Sequence, residues 1–507
     1  MRKLITAVLV TALVAGSGLA NNLKISNIEV KGRDNQTALV KFDISWENSW
    51  RFAGDEDPLF FHDAAWVFFK MLPDGRTDWE HVRLEGKGIN PTDFDTGSGT
   101  AIELVVPDDG VGMFVRRSQD GSGTTSVQRV TAVWNFATNG LTKSDKVKMQ
   151  VFGLEVCYVA EGAFWVGDGL KDMGQFFEGG TGDSPKPFAI TSAGEIECGN
   201  EEGKLWGAST SGNTSMGGAG SIPAAFPNGY NAFYCMKYAI TQGQYADFLN
   251  TLTRQQQKER CSATTVGNYM SEANAGIKNR NTVRLMEDVD PQPRVYATVT
   301  PDRACNFISW ADLAAFTAWA GLRPMTELEF EKACRGPMEP VAGEFAWGTT
   351  WIKEQTGHTA AADGSGMEAA APGDANCCFN NKMGGPVRVG IYAVPGASRE
   401  QAGASYWGIM ELSGNLWERP VSVGNATGRS FTGLHGDGTL LAGGEAGVTF
   451  WPNAAATGPG FRGGAWYNAA SSARASDRRN GAVVAATRVS SNGGRAVRSA
   501  PSGVVGP

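Results

Sequence analysis

Histidine is scarce in this chain of 507 residues, and its four copies, His62, His81, His358 and His435, are scattered along the sequence. Because imidazole is the commonest side-chain ligand for transition metals, this scarcity argues against a histidine-rich iron site. The chain also has no Cys-x-x-Cys pair, which excludes a zinc ribbon and a thioredoxin-type redox site. No P-loop, zinc-protease helix or nucleophile elbow is found.

Long apolar runs are also missing, since no stretch after residue 20 approaches the roughly 20 apolar residues that cross a bilayer. A formal net charge of -7 argues against a nucleic-acid partner, which would require basic residues. Residues 1–20 have the layout of a signal peptide: Arg2 and Lys3, an apolar run and a small-residue end at Ala20. The sequence therefore predicts a secreted protein at the cell surface, outside the cell or in the periplasm, without membrane insertion. An uncleaved signal anchor is the alternative.

Cysteine is present, but all eight residues lie beyond position 150: Cys157, Cys198, Cys235, Cys261, Cys305, Cys334, Cys377 and Cys378. In an oxidising compartment this even number permits up to four disulfides, whose connectivity the spacing leaves open. The adjacent Cys377 and Cys378 would form a vicinal bridge or, as we favour, bond to different partners.

The region 21–150 alternates apolar and polar residues, as in 23–30 and 38–44, and turn signals separate these runs. With no long helical period between them, the strands predict an all-β, immunoglobulin-like sandwich. Four tryptophans stand out in this region: Trp46, Trp50, Trp66 and Trp79. They would form a carbohydrate-binding platform or, as we favour, fill the core.

Beyond residue 150 the sequence becomes rich in glycine and predicts few helices. One is expected over 242–250 with Thr241 as its N-cap, and a second over 310–319. A capping box at Thr326-Glu327-Leu328-Glu329 predicts the start of a third helix.

Six blocks of this region, in order, resemble the formylglycine-generating, sulfatase-modifying factor family: 154–167, 233–245, 319–333, 345–348, 413–418 and 461–466. The resemblance implies a variant of the C-type lectin fold. The expected fold class is therefore α+β, with a signal peptide over 1–20, a β-sandwich over 21–150 and a sulfatase-modifying-factor-like domain over 151–507.

The sequence departs from the family where its oxidases carry two catalytic cysteines, shortly after an Arg-Gly-Gly motif. Counted from Arg462, those positions are Asn468 and Ala473 here. Neither an amide nor a methyl group supplies a thiolate for copper, so no copper is expected and the sequence leans against an enzyme. The related iron-dependent sulfoxide synthases take histidines from an added helical bundle, whereas the added domain here is predicted to be a sandwich.

The resemblance also implies a structural calcium site in the loop 411–418. Glu411 and Glu418 would supply side-chain oxygens, and Gly414 and Leu416 would supply carbonyl oxygens. Asn376 resembles a ligand of a second family site. The alternative is that Glu418 pairs with a buried arginine such as Arg462, without a metal.

The last 47 residues contain seven arginines, no lysine and one acid, Asp477. Arginine alone suits fixed, bidentate ion pairs, and we expect these arginines to pair with the group Glu327, Glu329, Glu331 and Glu418. Recognition of an anionic partner, such as a sulfated or carboxylated glycan, is the alternative.

A run of small and polar residues follows the last family block. This run resembles the display surface of lectin-fold variable proteins that are diversified by retroelements. Its predicted ligand-binding residues are Trp466, Tyr467, Asn468, Ser471, Ser472, Arg474 and Arg478. The favoured function is an exported, non-catalytic binding or surface-structural protein that recognises a protein or a glycan. Two alternatives remain: a divergent formylglycine-generating-type oxidase or nonheme metal oxygenase, with Cys377 or Cys378 brought near its site by the fold, and a self-assembling extracellular subunit.

Overall fold

The computed structural model describes residues 22–53, 60–207, 216, 220–271 and 276–501. The predicted signal peptide over 1–20 lies outside these residues. Within the described ranges, no helix has both the length and the apolar character needed to cross a membrane.

The N-terminal region consists of antiparallel strands in two layers that pack face to face. Its strands are β1 (Lys24–Gly32), β2 (Thr37–Ala53), β3 (Phe60–Pro73), β4 (Glu80–His81), β5 (Gly88–Ile89), β6 (Ser98–Gly99), β7 (Ile102–Val106), β8 (Met113–Arg117), β9 (Gly121–Asn135) and β10 (Val147–Val159). Strands β1, β2, β6 and β9 form one layer, and the others form the second. Inward-facing residues such as Val40, Phe42, Val67 and Phe69 fill the core between the layers. The predicted N-terminal β domain is confirmed.

Strand β3 is covered on both faces, which explains its nearly continuous apolar sequence. Ala65, Val67 and Phe69 enter the core between the layers, whereas Trp66 and Phe68 enter the core of the C-terminal region. Trp46 and Trp66 are fully buried, as the core interpretation predicts. Trp50 and Trp79 are half-buried.

The C-terminal region has short strands joined by long loops. These strands are β11 (Phe164–Val166), β12 (Phe176–Glu178), β13 (Phe188–Ile190), β14 (Ile196–Cys198), β15 (Leu205–Gly207), β16 (Gly220–Ile222), β17 (Phe233–Met236), β18 (Arg284–Glu287), β19 (Val295–Ala297), β20 (Arg323–Pro324), β21 (Gly357–Thr359), β22 (Ala369–Ala371) and β23 (Ala496–Ser499). The α-helices are α1 (Gln242–Asn250), α2 (Arg254–Arg260), α3 (Trp310–Trp319), α4 (Glu327–Arg335) and α5 (Ala426–Arg429). Among the described residues, short 3-10 helices cover Asp172–Gly174 and Ala470–Ala473 in this region and Phe136–Asn139 in the N-terminal region.

The three helices predicted from the sequence are confirmed, together with the N-terminal signals predicted for the first and the third. Thr241 caps α1, and Ser309 caps α3. Thr326 caps α4 by accepting a hydrogen bond from the backbone N–H of Glu329, whose carboxylate accepts one from the N–H of Thr326. With few helices and many strands, the described chain is mostly sheet, in agreement with the coarse fold class.

One sheet runs through both regions, in the order β20-β23-β17-β10-β3 and onward into the N-terminal layers. Strand β10 joins the regions because it pairs with β3 over residues 147–157 and with β17 over residues 156–159. The predicted boundary at residue 150 falls inside this strand.

All eight cysteines are buried free thiols, so none of the disulfides that the sequence permits is formed. Cys157 in β10 and Cys235 in β17 are opposite each other, without a bond between them. The other thiols lie in apolar surroundings, where cysteine behaves as a small hydrophobic residue. The expectation of a disulfide-braced scaffold is therefore corrected.

Candidate functional site

The two positions of the family's catalytic cysteines lie near a third residue that carries a thiol. Ala473 is buried in a small apolar cluster with Cys377, Phe345, Trp347 and Phe379, which we call the Cys377 cluster. The chain segments also run side by side here, because the backbone N–H of Asn380 donates to the carbonyl of Asn468 at 2.8 Å. The fold therefore places Cys377 beside the position of one missing cysteine.

Ser413 joins three segments around this cluster. Its hydroxyl donates to the carbonyl of Ala473 at 2.6 Å and accepts the N–H of Ala346 at 3.0 Å. Its own carbonyl accepts the Cys377 thiol at 3.2 Å. The next residue must be glycine, because a Cβ on Gly414 would lie 2.4 Å from the Cys377 sulfur and because its φ is +79°.

The Cys377 thiol is held in its protonated form. Burial raises its pKa well above the ordinary value, and the neighbouring Cys378 and Glu411 add to this effect. A thiol binds copper as its thiolate, so metal binding here would first require loss of this proton.

An open groove of about 650 Å³ adjoins the cluster. It is lined by Ile352, Lys353, Glu354, Thr356, Pro372, Phe379 and Asn380. Phe379 belongs to both the groove and the cluster, and the N–H of Gln355 donates to the carbonyl of Cys377 at 3.0 Å. The groove and the buried Cys377 cluster therefore share one wall, at Phe379.

We find no metal-binding cluster in the described part of the chain. A cluster here means three or more histidine, cysteine, aspartate or glutamate side chains that could hold one metal ion. Beside Ala473 only one thiol, Cys377, belongs to the cluster.

The predicted calcium loop is buried, and an arginine occupies its centre. Arg495 donates from Nε to Glu418 at 2.6 Å and from Nη2 to the main-chain oxygen of Glu411 at 3.1 Å. Glu411 accepts the N–H of Gly390 at 2.7 Å, and burial raises the pKa of its carboxyl to about 7. One oxygen of each glutamate, Oε2, has no hydrogen-bond partner among the described residues.

Three other predicted calcium ligands have structural contacts. The N–H of Gly414 donates to the carbonyl of Gly463, and Leu416 is buried in an apolar cluster. The side chain of Asn376 accepts the N–H of Lys353 and donates to the carbonyl of Glu400, both at 2.9 Å. The side chain of Asn376 therefore links the segment at Lys353 to the segment at Glu400 by hydrogen bonds.

The C-terminal arginines form the predicted buried ion pairs. Arg462 pairs with Glu327 at 3.3 Å and with Glu331 at 2.6 Å, and Arg478 pairs with Glu327 at 2.9 Å. The partner of Glu418 is Arg495 rather than the Arg462 considered from the sequence. Glu329 pairs with Arg323, which lies outside the C-terminal group.

The predicted ligand-binding residues do not share one exposed face. Tyr467 is 45% exposed, whereas Trp466, Ser472 and Arg478 are buried. Asn468, Ser471 and Arg474 are half-buried. The sequence did not single out Ser413, whose backbone carbonyl contacts Cys377 and whose hydroxyl contacts Ala473. Its position in the family-like block 413–418 was the only signal that the sequence offered for it.

Comparison with known proteins gives two results. The sulfatase-modifying factor enzyme 1-like domain matches residues 190–500. Among curated proteins, the chain is similar to the hercynine oxygenase of Mycolicibacterium smegmatis, at 32% identity over 120 residues, or 23% of this chain and 21% of that protein. It is also similar to the hercynine oxygenase of Mycobacterium tuberculosis, at 26% identity over 204 residues, or 38% of each chain. The chain thus spans well under two thirds of these relatives.

These relatives overturn the expectation of an exported, non-catalytic binding protein. Their names describe an enzyme that acts on hercynine as an oxygenase, and they share the matching domain family. The absence of the two cysteines excludes one copper-binding arrangement and leaves other chemistry of the family open, so it does not by itself indicate a non-catalytic protein.

Proposed function

Because the chain belongs to the sulfatase-modifying factor enzyme 1-like family, we propose that it is a divergent oxidoreductase of the oxidase or oxygenase type. The observation that carries this proposal is the similarity to two hercynine oxygenases. Since the similarity covers 21% and 38% of those proteins, the proposal names the class of reaction and not the substrate.

The groove beside the Cys377 cluster is the proposed substrate site. It adjoins the segment that replaces the family's catalytic cysteines, and its walls combine apolar side chains with Lys353 and Glu354. Such a mixture orients a small polar substrate through a few charged groups. We derive no metal-dependent step, since the described residues contain no group of three or more metal-ligating side chains. In this proposal Cys377 lies behind the wall of the groove, in the cluster that it shares with the lining residue Phe379.

A C-type-lectin-like fold is proposed for the C-terminal region. Its first and last strands lie on the two sides of β17: residues 156–159 of β10 on one side and β23 on the other. This arrangement brings the start and the end of the region together, while long loops between short strands carry most of its surface.

A calcium ion in the loop 411–418 is also proposed. The unpartnered Oε2 atoms of Glu411 and Glu418 support it, since hard cations prefer carboxylate oxygens. Arg495 counts against it because its charge lies 2.6 Å from Glu418. Calcium would therefore bind only if Arg495 moved away from this carboxylate.

Oxygen consumption tests the proposed activity. The purified chain is supplied with iron(II) or copper(I) and offered either a cysteine-containing peptide or hercynine with and without free cysteine. We expect substrate-dependent oxygen uptake, and we expect Cys377→Ala to lower kcat/KM at least about tenfold, which corresponds to roughly 1.4 kcal/mol of transition-state stabilisation.

Cys235→Ala is the matched control, because it removes another fully buried thiol that belongs to a different core cluster. It should keep the activity of the unmodified chain. Absence of oxygen uptake with every substrate and metal, in protein that is folded by circular dichroism, would contradict the proposal.

A further inference from the structure

Two of the four histidines of the chain are buried where the N-terminal and C-terminal regions meet. His62 lies on β3 and is 1% exposed, and His81 lies on β4 and is 5% exposed. The other two are more accessible, since His435 is half-buried in the C-terminal region and His358 is exposed on β21. We call His62 and His81 the junction histidines.

His62 reaches the C-terminal region through Tyr234 of β17. The Tyr234 hydroxyl lies 2.9 Å from Nε2 of His62. Nη1 of Arg116 lies 3.4 Å from the same nitrogen and donates to the Tyr234 hydroxyl at 3.0 Å. An added proton on this ring would therefore place an imidazolium directly beside a guanidinium, in a site with almost no solvent.

The other groups around His62 do not relieve this repulsion. Tyr158 of β10 stacks on the ring, with the ring centroids 4.7 Å apart. Glu103 of β7 is already shared by two cations, because it pairs with Arg116 at 2.6 Å and with Arg51 at 3.0 Å. Burial, followed by the charges of Arg116 and Arg51, lowers the pKa of His62 well below its ordinary value.

The ring of His81 is closed in by the backbone of the C-terminal region. Its Nε2 lies 2.6 Å from the carbonyl of Val111 and therefore carries the ring proton, so a second proton would have to bind Nδ1. The backbone of Gly438 packs against Nδ1, since a Cβ on this glycine would lie 2.2 Å from it. Nδ1 has almost no accessible surface and no hydrogen-bond partner among the described residues, so an added proton would meet neither water nor an acceptor.

Positive charge also surrounds His81. Lys70 donates to the carbonyls of Trp319 and Gly438 beside the ring. Burial and then Lys70 lower the pKa of His81 well below its ordinary value, Arg83 and Arg498 add to this effect, and the Val111 carbonyl opposes it. Burial lowers the pKa of Lys70 as well, so the two side chains compete for protons. The acids of these segments have other partners: Glu80 pairs with Arg76 at 2.8 Å, Asp109 pairs with Arg498 at 2.6 Å, and Asp437 accepts the N–H and the hydroxyl of Thr439.

Both rings would gain water and a proton if the two regions moved apart. We propose that the junction between the regions is an acid-sensitive contact, which opens when His62 and His81 become protonated. Since their folded-state pKa values lie below the unfolded value of about 6.5, the contact is at full strength above that pH. It weakens as the pH falls below about 6.5 towards the folded-state pKa values, because the open form binds more protons.

NMR of the unmodified chain, labelled with ¹³C at the histidine rings, tests this proposal directly because only four histidines give signals. We expect the exposed His358 to titrate with a midpoint near pH 6.5. The junction histidines should keep the shifts of neutral rings until the pH at which amide exchange shows that β3 and β4 lose protection. Titration of His62 or His81 near pH 6.5, while these strands stay protected, would overturn the proposal.

The double variant His62→Gln/His81→Gln removes both titrating groups, and the glutamine amides can still bond to Tyr234 and Val111. From about pH 7.5 to about pH 5.5, the unfolding equilibrium constant in urea should rise about 100-fold more for the unmodified chain than for this variant, or about tenfold per histidine.

His358→Gln is the matched control, because it removes an exposed histidine that lies on another strand, and it should keep the full pH dependence. The same pH dependence in the double variant and the unmodified chain would contradict the proposal, since other groups, such as His435, would then cause the acid effect. If the double variant does not fold, the NMR titration of the unmodified chain decides.

Discussion

At the scale of single residues, the C-terminal region is organised around buried charges rather than around disulfides. Glu327 has no exposed surface and accepts hydrogen bonds from Arg478, Arg462, Ser422 and the N–H of Val423. Although burial opposes ionisation, Arg478 and then Arg462 hold the pKa of Glu327 below its ordinary value. A buried ion pair is tolerated only with such extensive hydrogen bonding.

Glu327→Gln should destabilise the protein by about 3 kcal/mol, because it leaves two buried guanidinium groups without their shared counter-charge. Urea unfolding measures this difference in the free energy of unfolding. The depressed pKa contributes stability above the unfolded value of 4.5, and this contribution is lost as the pH falls through the folded-state pKa. The difference between the two proteins should therefore shrink in acid.

The exposed Glu339 provides the control, since Glu339→Gln should change the free energy of unfolding by less than about 0.5 kcal/mol. Equal stability of Glu327→Gln and the unmodified chain at neutral pH would show that the ion pairs add nothing to the free energy of unfolding.

The existence of these ion pairs was predictable from the arginine-rich C-terminus, but the partner of each arginine was not. Arg495 reaches Glu418 from the segment next to β23, and only the three-dimensional path of the chain brings them together.

At the scale of elements, local signals predicted three of the five described α-helices and missed α2, although Thr253 starts it with a capping box, and the short α5. They were insufficient for the loops. Thr241 and Thr326 mark helix starts because a capping box is completed within four residues. The Cys377 cluster is assembled from loop segments that are distant in sequence, so no local pattern predicts it. No local pattern predicted that Tyr467 is exposed while Arg478 is buried. The run of small residues between them forms a 3-10 turn at Ala470–Ala473, and Arg478 is buried by its ion pair with Glu327.

The loop 411–418 allows a test of calcium at the same scale. If calcium binds, 5 mM calcium chloride should raise Tm relative to EGTA, because a ligand that binds only the folded state stabilises it by mass action. Glu418→Gln should remove this shift, and magnesium should not reproduce it, since magnesium demands a stricter octahedral site. An identical Tm in calcium and EGTA would indicate that Arg495 alone neutralises the loop.

At the scale of the whole molecule, the alternating pattern of the N-terminal strands predicted a β domain. It did not predict that one continuous sheet joins this domain to the C-terminal region. Strand β3 presents alternate residues to two cores, and its side chains bond across the regions. Trp66 donates to the carbonyl of Ala320 at 2.8 Å, and Lys70 donates to the carbonyl of Trp319 at 2.9 Å. Polar contacts of this kind depend on tertiary proximity, which periodicity does not encode.

This shared architecture predicts that both regions unfold in one cooperative transition. Trp66→Phe removes a hydrogen bond between the regions and leaves a buried carbonyl unsatisfied, at a cost of about 1–3 kcal/mol. Trp134→Phe is the matched variant, because it removes the bond to Asn139 within the N-terminal region alone. Calorimetry should show a single peak that each variant shifts to lower temperature. Two peaks, of which Trp134→Phe moves only one, would mean that the continuous sheet does not couple the regions.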